Sequence, residues 1–137
     1  VASSEARFAT SGINFGLFCA TPGVPVSRNI SRKRAFEMLL TGDFIDAATA
    51  LDWGLVNRVV PPAALDDAIR EFVETIKEKP PAVCAAGKAL FYEQLESRLA
   101  DAYKIASVAI TQNMLGEDAA EGVGAFIDKR KPDWKGR

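Results

Sequence analysis

Glu121-Gly122-Val123-Gly124-Ala125-Phe126-Ile127-Asp128-Lys129-Arg130-Lys131-Pro132-Asp133-Trp134 reads as a helix that runs into a basic, proline-stopped, aromatic tail. Glu117, Asp118 and Glu121 sit where the free amides and positive dipole end of a helix favour acids. Lys129, Arg130 and Lys131 sit where the negative end favours cations. Pro132 cannot continue a helix, and Trp134 beyond it is an anchor for a neighbouring surface. The pattern predicts a helix over about 118–130, with Phe126 and Lys129, three apart, on one face. Spacing alone makes Phe126 a core residue and the basic run a favourable helix end.

Working towards the N-terminus, helical periods continue. A helix from about Arg98 to Met114 is broken by Gly116. Before it, Val83, Gly87, Leu90, Phe91 and Leu95 form the apolar stripe of another helix, set off by Pro80-Pro81. From Leu65 the period is helical again, with Leu65, Ile69, Phe72, Val73 and Ile76 on one face. Upstream of Pro61-Pro62 the pattern changes. Leu55–Val60 reads as a strand, and Asp46 caps a short helix, Ala47 to Asp52, that Gly54 ends. Ser31 is the N-cap of a helix through Arg34 to Leu40 that Gly42 stops. Residues 12–24 read as a glycine-rich loop with one helical turn, Pro22 suiting a first helical position. Residues 6–10 alternate as a short strand, and Val1 reads as the end of an earlier one. The expected fold class is α/β, mostly helical in this portion, divided into residues 1–61 and a helical part, 62–137.

Composition excludes several functions. With 48% hydrophobic residues, 26% charged residues and a net charge of -1 over 137 residues, the chain is an ordinary globular sequence of one-domain size. The near-neutral balance gives no basic footprint for nucleic acid. No apolar run reaches the roughly 18 to 20 residues of a membrane span, and the first residues lack the pattern of a signal peptide. Cys19 and Cys84 are too few for a disulfide framework or a metal site and read as buried thiols. Histidine is absent, which removes Ser-His-Asp and Cys-His systems and an imidazole base from this chain. Neither a metal nor a cofactor is expected.

Several segments occur in the order found in one family. Phe8-Ala9, Gly16, Pro22-Gly23 and Ala35-Phe-Glu37-Met38-Leu-Leu-Thr41-Gly42 come first. Ile45-Asp-Ala47-Ala48-Thr-Ala50-Leu-Asp-Trp-Gly54-Leu55-Val56 and Val59-Val60-Pro61 follow, then Lys79-Pro80-Pro81, Ala86-Gly-Lys88 and the tail. Each motif is weak, but the ordered set covers nearly all of the chain. It resembles the crotonase superfamily (enoyl-CoA hydratase/isomerase). The wording from Gly16 to Val24 is closest to the mitochondrial-type "enoyl-CoA hydratase domain-containing" subgroup.

The resemblance implies a crotonase-like spiral of ββα units, of which residues 1–61 would be the C-terminal remnant. It implies that residues 62–137 form a helical trimerisation domain. It implies an acyl-CoA thioester as substrate, a homo-oligomer (trimer or hexamer), and a cytoplasmic location, mitochondrial in a eukaryote. Both oxyanion-hole amides and one catalytic glutamate would lie upstream of Val1. The second glutamate of the hydratase pattern falls at Gly12, which has no acid to offer. Glu5 is the nearest carboxylate in sequence and reads as a solvated strand end. Phe126, Lys129 and Arg130 match the family's contacts to the adenine and phosphates of CoA. An aromatic face can pack on adenine, and cations suit phosphates.

The fragment itself is expected to be inactive, within a parent whose chemistry is hydration, isomerisation, hydrolysis or another enolate reaction. The alternative is a non-catalytic acyl-CoA-binding or oligomerisation subunit. A plain helical module would bind no CoA. Other residues carry bland readings. Lys88 is a snorkelling lysine, and the Arg28, Arg32, Lys33, Arg34 cluster is a solvated face. Tyr92 and Tyr103 are core or interface aromatics.

Overall fold

A computed structural model describes residues 1–136, in two compact units that divide between Phe72 and Val73. The N-terminal unit opens with two two-residue strands, β1 (Ala2–Ser3) and β2 (Arg7–Phe8). β1 pairs in parallel with β4 (Val59–Val60), Ala2 opposite Val59 and Ser3 opposite Val60. β2 pairs antiparallel with β3 (Ile45–Asp46), Arg7 opposite Asp46 and Phe8 opposite Ile45. The strand expected over 55–60 is therefore shorter. The amides of Leu55 and Val56 both donate to the Ala50 carbonyl, at 2.9 and 3.3 Å, so they close the preceding helix instead of joining a ladder.

Between the strands lie a 3-10 helix and three α-helices. A short 3-10 helix, Ser11–Phe15, is followed by α1 (Ala20–Asn29) and α2 (Arg32–Thr41), and β3 leads into α3 (Ala47–Asp52). The one helical turn expected within 12–24 is thus a ten-residue helix that begins later and runs further. Pro22 falls in its first turn, where no amide is needed. Pro25 lies inside it. α2 ends as its sequence predicts, with Gly42 left-handed at φ 67° and its amide on the Met38 carbonyl. Ser31 occupies the N-cap, but its hydroxyl makes no capping hydrogen bond. Asp46 does cap α3, accepting from the Thr49 amide at 2.8 Å, and that bond holds its carboxyl below the usual range. The core is made of small and flexible side chains: Ala2, Ile30, Ala35, Met38, Leu39, Ala47 and Ala50 are buried.

α4 (Leu65–Lys77) carries the division between the units within it. Its strong apolar stripe is not sequestered: Ile69, Phe72, Val73 and Ile76 are all exposed, and only Ala68 is buried. Arg58 lies 4.4 Å over the Phe72 ring and reaches Glu71 at 2.6 Å.

The C-terminal unit contains α5 (Pro81–Leu95), α6 (Leu99–Met114) and α7 (Glu117–Ile127). α5 starts with a proline at its first position, as the paired prolines predict. α5 and α6 pack on each other. Among the described residues of this unit only Asp118 and Ala125 are buried, while Leu99, Met114, Leu115, Phe126 and Ile127 stand in solvent. Tyr92 and Tyr103 are exposed too, so neither is a core aromatic. Cys84 is exposed and Cys19 half-buried, which corrects the reading of two buried thiols. The apolar stripes are correct for helices, but most of their large side chains stay exposed; Leu65 and Leu90 are half-buried.

Candidate functional site

Gly12 lies in the 3-10 helix Ser11–Phe15. Its amide donates to Cys19 Sγ at 3.2 Å, and its carbonyl accepts from the Leu17 amide at 3.0 Å. A Cβ placed on Gly12 would come within 2.7 Å of Cys19 Sγ and 2.8 Å of the Leu17 carbonyl oxygen. The thiol could swing aside, but the carbonyl belongs to the backbone. No side chain, acidic or otherwise, projects from this position without rebuilding the loop. Thr10, two residues earlier, is buried and donates from its hydroxyl to the Met38 carbonyl at 2.8 Å, which ties the loop to α2. Glu5 is exposed in a turn, its amide on Ser3 Oγ at 3.2 Å.

The tail has a different construction. α7 ends at Ile127, with Asp128 as its C-cap, three residues short of the end its sequence suggests. Lys129 then turns left-handed at φ 54°. The Lys129 amide donates to the Phe126 carbonyl at 3.3 Å and the Arg130 amide to the Ala125 carbonyl at 3.0 Å. This is the Schellman pattern, with lysine where glycine is usual. Phe126 and Lys129 therefore do not share a helical face. Phe126 is on the last turn, 85% exposed, which removes the reading of it as core. Lys129 projects from the reversal itself and is exposed.

Beyond the reversal the chain runs back along α7. Arg130 grips Glu121 with both arms of its guanidinium, Nη1 to Oε1 at 2.6 Å and Nη2 to Oε2 at 3.0 Å. The Asp133 amide adds a third bond to Glu121, at 2.7 Å. These donors, the Arg130 guanidinium first, hold the Glu121 carboxyl down to about 2. The Arg130 guanidinium is stabilised in its charged form by the same pair. One turn earlier, the buried Asp118 accepts from the amides of Lys135 (2.6 Å) and Gly136 (2.9 Å). Trp134 donates its indole N–H to the Glu78 carbonyl at 2.7 Å. A Cβ on Gly122 would meet its ring at 3.2 Å, so this glycine leaves the space the ring takes. Trp134 is the anchor its sequence context predicts.

A cleft of about 600 Å³ lies where Lys77, Lys79 and Pro81 face Lys131, Pro132 and Trp134. It gathers three ammonium groups, tempered by Glu78 and Asp133, yet neither Phe126 nor Lys129 lines it. The tail cations thus fall into three environments: Arg130 in an ion pair, Lys131 in the cleft, Lys129 on the reversal. Sequence reading assigned Glu121 and Asp118 to the helix dipole and missed their bonds to the tail. The Glu121–Arg130 pair is nine residues apart, and no helical spacing predicts it. Only Pro132 hinted that the chain turns. Among the described residues no group of three His, Cys, Asp or Glu side chains could hold a metal ion, and no helix is long and apolar enough to cross a membrane.

The ordered motifs and this tail have counterparts in known proteins. The sequence pattern of the enoyl-CoA hydratase/isomerase family matches residues 1–137, the whole chain. The chain belongs to the enoyl-CoA hydratase/isomerase family. It is 46% identical over 134 residues to human mitochondrial enoyl-CoA hydratase domain-containing protein 3, covering 98% of the chain and 44% of that protein. It is 33% identical to the carnitinyl-CoA dehydratase of Proteus mirabilis, covering all of the chain and 54% of the enzyme. Among solved structures, the enoyl-CoA hydratase of Mycobacterium smegmatis superposes with a TM-score of 0.94 at 55% identity, over 96% of the chain and 51% of that structure. The chain spans about half the length of the enoyl-CoA hydratase/isomerase relatives it matches.

Proposed function

We propose that this chain is the C-terminal part of an acyl-CoA-processing protein, with residues 1–61 finishing the spiral core and residues 62–137 serving assembly. The observation that carries the reading is the tail. Phe126 and Lys129 stand in solvent on a reversal that Arg130, Glu121 and Asp118 hold in place. An exposed aromatic face and an ammonium beside it suit the adenine and 3′-phosphate of CoA. Arg130, already paired, would contribute chiefly through field and position. The relatives named for enoyl-CoA hydratase and carnitinyl-CoA dehydratase activity support a CoA thioester as substrate.

For the chemistry, hydration of an enoyl thioester needs carboxylates to activate water and move a proton, and amides to hold the enolate-like oxygen. Gly12 supplies no carboxylate, and its amide is taken by Cys19. The parent protein is therefore better suited to an isomerase, hydrolase or other enolate reaction than to fast hydration, and the 137 residues alone are inactive. Assembly into a trimer or hexamer is supported by the uncovered apolar faces of α4 to α7. A mitochondrial location, if the protein is eukaryotic, follows the closely similar mitochondrial relatives.

Titration of the full-length protein with CoA, beside an assay for loss of the conjugated thioester absorbance of a short enoyl-CoA, tests this. CoA binding with slow or no hydration is expected. Fast hydration would show that another residue replaces the acid missing at Gly12. Absence of CoA binding would overturn the reading. The second reading, a non-catalytic acyl-CoA-binding or oligomerisation subunit, is favoured by Gly12. It predicts CoA binding with no turnover of any acyl-CoA.

A further inference from the structure

We propose that Asp118 and Glu121 are positioning residues for CoA recognition, a carboxylate latch on α7 that fixes the reversal from which Lys129 is presented. The inference rests on the assignment of Phe126 and Lys129 as CoA contacts. It goes beyond that assignment because neither acid touches the ligand.

The geometry is specific. Asp118 and Glu121 lie three apart on α7 and so on one face. Between them they take two guanidinium bonds and three backbone amides from residues 130–136. The backbone donors matter most, since an amide bond fixes the path of the chain and not merely one side chain. Asp118 is nearly fully buried, at 4% exposure, and its Lys135 and Gly136 amide bonds keep it from being an unsatisfied buried acid. The reversal they secure is unfavourable by itself: a non-glycine residue in the left-handed region is disfavoured. Something must hold Lys129 at φ 54°, and Arg130, its immediate neighbour, is the residue that Glu121 grips. A long lysine on a mobile segment would lose side-chain and backbone entropy on meeting a phosphate. One on a latched reversal loses less, which is the general advantage of preorganisation.

The experiment uses the full-length protein and two probes, CoA and 3′-dephospho-CoA, titrated calorimetrically, with Glu121→Gln and Asp118→Asn beside the wild type. Trypsin cleavage after Lys129 and Arg130, followed by mass spectrometry, reports the latch independently. A charge-assisted contact to the 3′-phosphate gives wild-type protein about tenfold preference for CoA. Both variants are expected to lose most of that preference while binding 3′-dephospho-CoA nearly as well as wild type, and to be cleaved faster in the tail. Glu121→Gln keeps the shape of a side chain that is only half-buried. It therefore keeps the test open if Asp118→Asn fails to fold. A tail that becomes protease-sensitive while the CoA preference stays tenfold would overturn the inference and leave the CoA assignment standing. A wild-type protein that does not distinguish the two probes would overturn both.

Discussion

The loop at Gly12 and the tail after α7 are held by opposite means. The loop is closed by packing: a sulfur and a backbone carbonyl occupy the space of a Cβ, and Thr10 ties the segment to α2 through a buried bond. The tail is closed by charge, with two carboxylates gathering a guanidinium and three amides on a helix face. A packed loop tolerates no added atoms and so fixes what chemistry is missing. A charged latch leaves side chains pointing outward and so fixes what binding is available. On the function proposed above, the tail is the part that meets the ligand and the loop is the part that lacks the acid.

The most severe way to break the comparison is Gly12→Glu, which restores the acid in name. The new side chain meets the Leu17 carbonyl, and overpacking of this kind costs about 3 kcal/mol. Thermal unfolding is expected to fall by about 10 °C in a protein of this size, with no gain in hydration rate. Stable, faster-hydrating Gly12→Glu protein would show that the loop rebuilds readily and that packing does not fix the chemistry.

Trp134→Ala tests the tail from its apolar side. The indole fills the space left by Gly122 and donates to the Glu78 carbonyl. Half-buried aromatics of this kind contribute less than the 3 to 5 kcal/mol of a fully buried one, so a loss of about 2 kcal/mol is expected in chemical denaturation. A loss below about 0.5 kcal/mol would mean that the carboxylates hold the tail without their anchor.

Much of this construction was legible in the sequence, and the exceptions share a cause. Caps depend on neighbours in the chain, so Asp46 and Gly42 were read correctly, as was the proline start of α5. The true end of α7 was not, because Lys129 is a poor left-handed residue and no local signal marks it. The Glu121–Arg130 grip depends on a chain reversal that only Pro132 suggested. α1 was missed because its two prolines and glycine argue against a helix locally, while Pro22 in the first turn costs nothing. Gly12 was noticed as a missing acid, but the closeness of Cys19 and Leu17 depends on the folded loop. Helical stripes were found readily in α4 and α5, yet periodicity says only that a face is apolar. Ile69, Phe72 and Phe91 remain exposed all the same.

Acid should separate the two regions without any substitution. The Glu121 carboxyl is held at about 2 against an ordinary value of 4.5, chiefly by Arg130 and then by the Asp133 amide. A depressed carboxyl contributes stability that is present above 4.5 and is lost as pH falls towards 2. Lys135 adds attraction in the same direction, and Asp128 and Asp133 lie beside the Arg130 and Lys135 cations. Amide hydrogen exchange at residues 129–136 should therefore quicken over that interval in wild-type protein and be flatter in Glu121→Gln. Equal acid sensitivity in both proteins would assign the change to other carboxylates.

The smallest expected effect sharpens the comparison most, because it has the opposite sign. Lys129→Gly places the residue that suits a left-handed C′ position at φ 54°. Relief of the left-handed strain is worth about 1 to 2 kcal/mol. The added freedom of glycine in the unfolded chain takes back about 0.4 to 1 kcal/mol. A net gain of about 0.5 kcal/mol is expected in denaturant, together with loss of the preference for CoA over 3′-dephospho-CoA. Such a pairing, steadier but poorer at recognition, is what a strained residue kept for its ammonium group should give. If Lys129→Gly gains stability and keeps the preference, the lysine is an unfavourable C′ residue and nothing more, and the phosphate contact must be sought among the other tail cations.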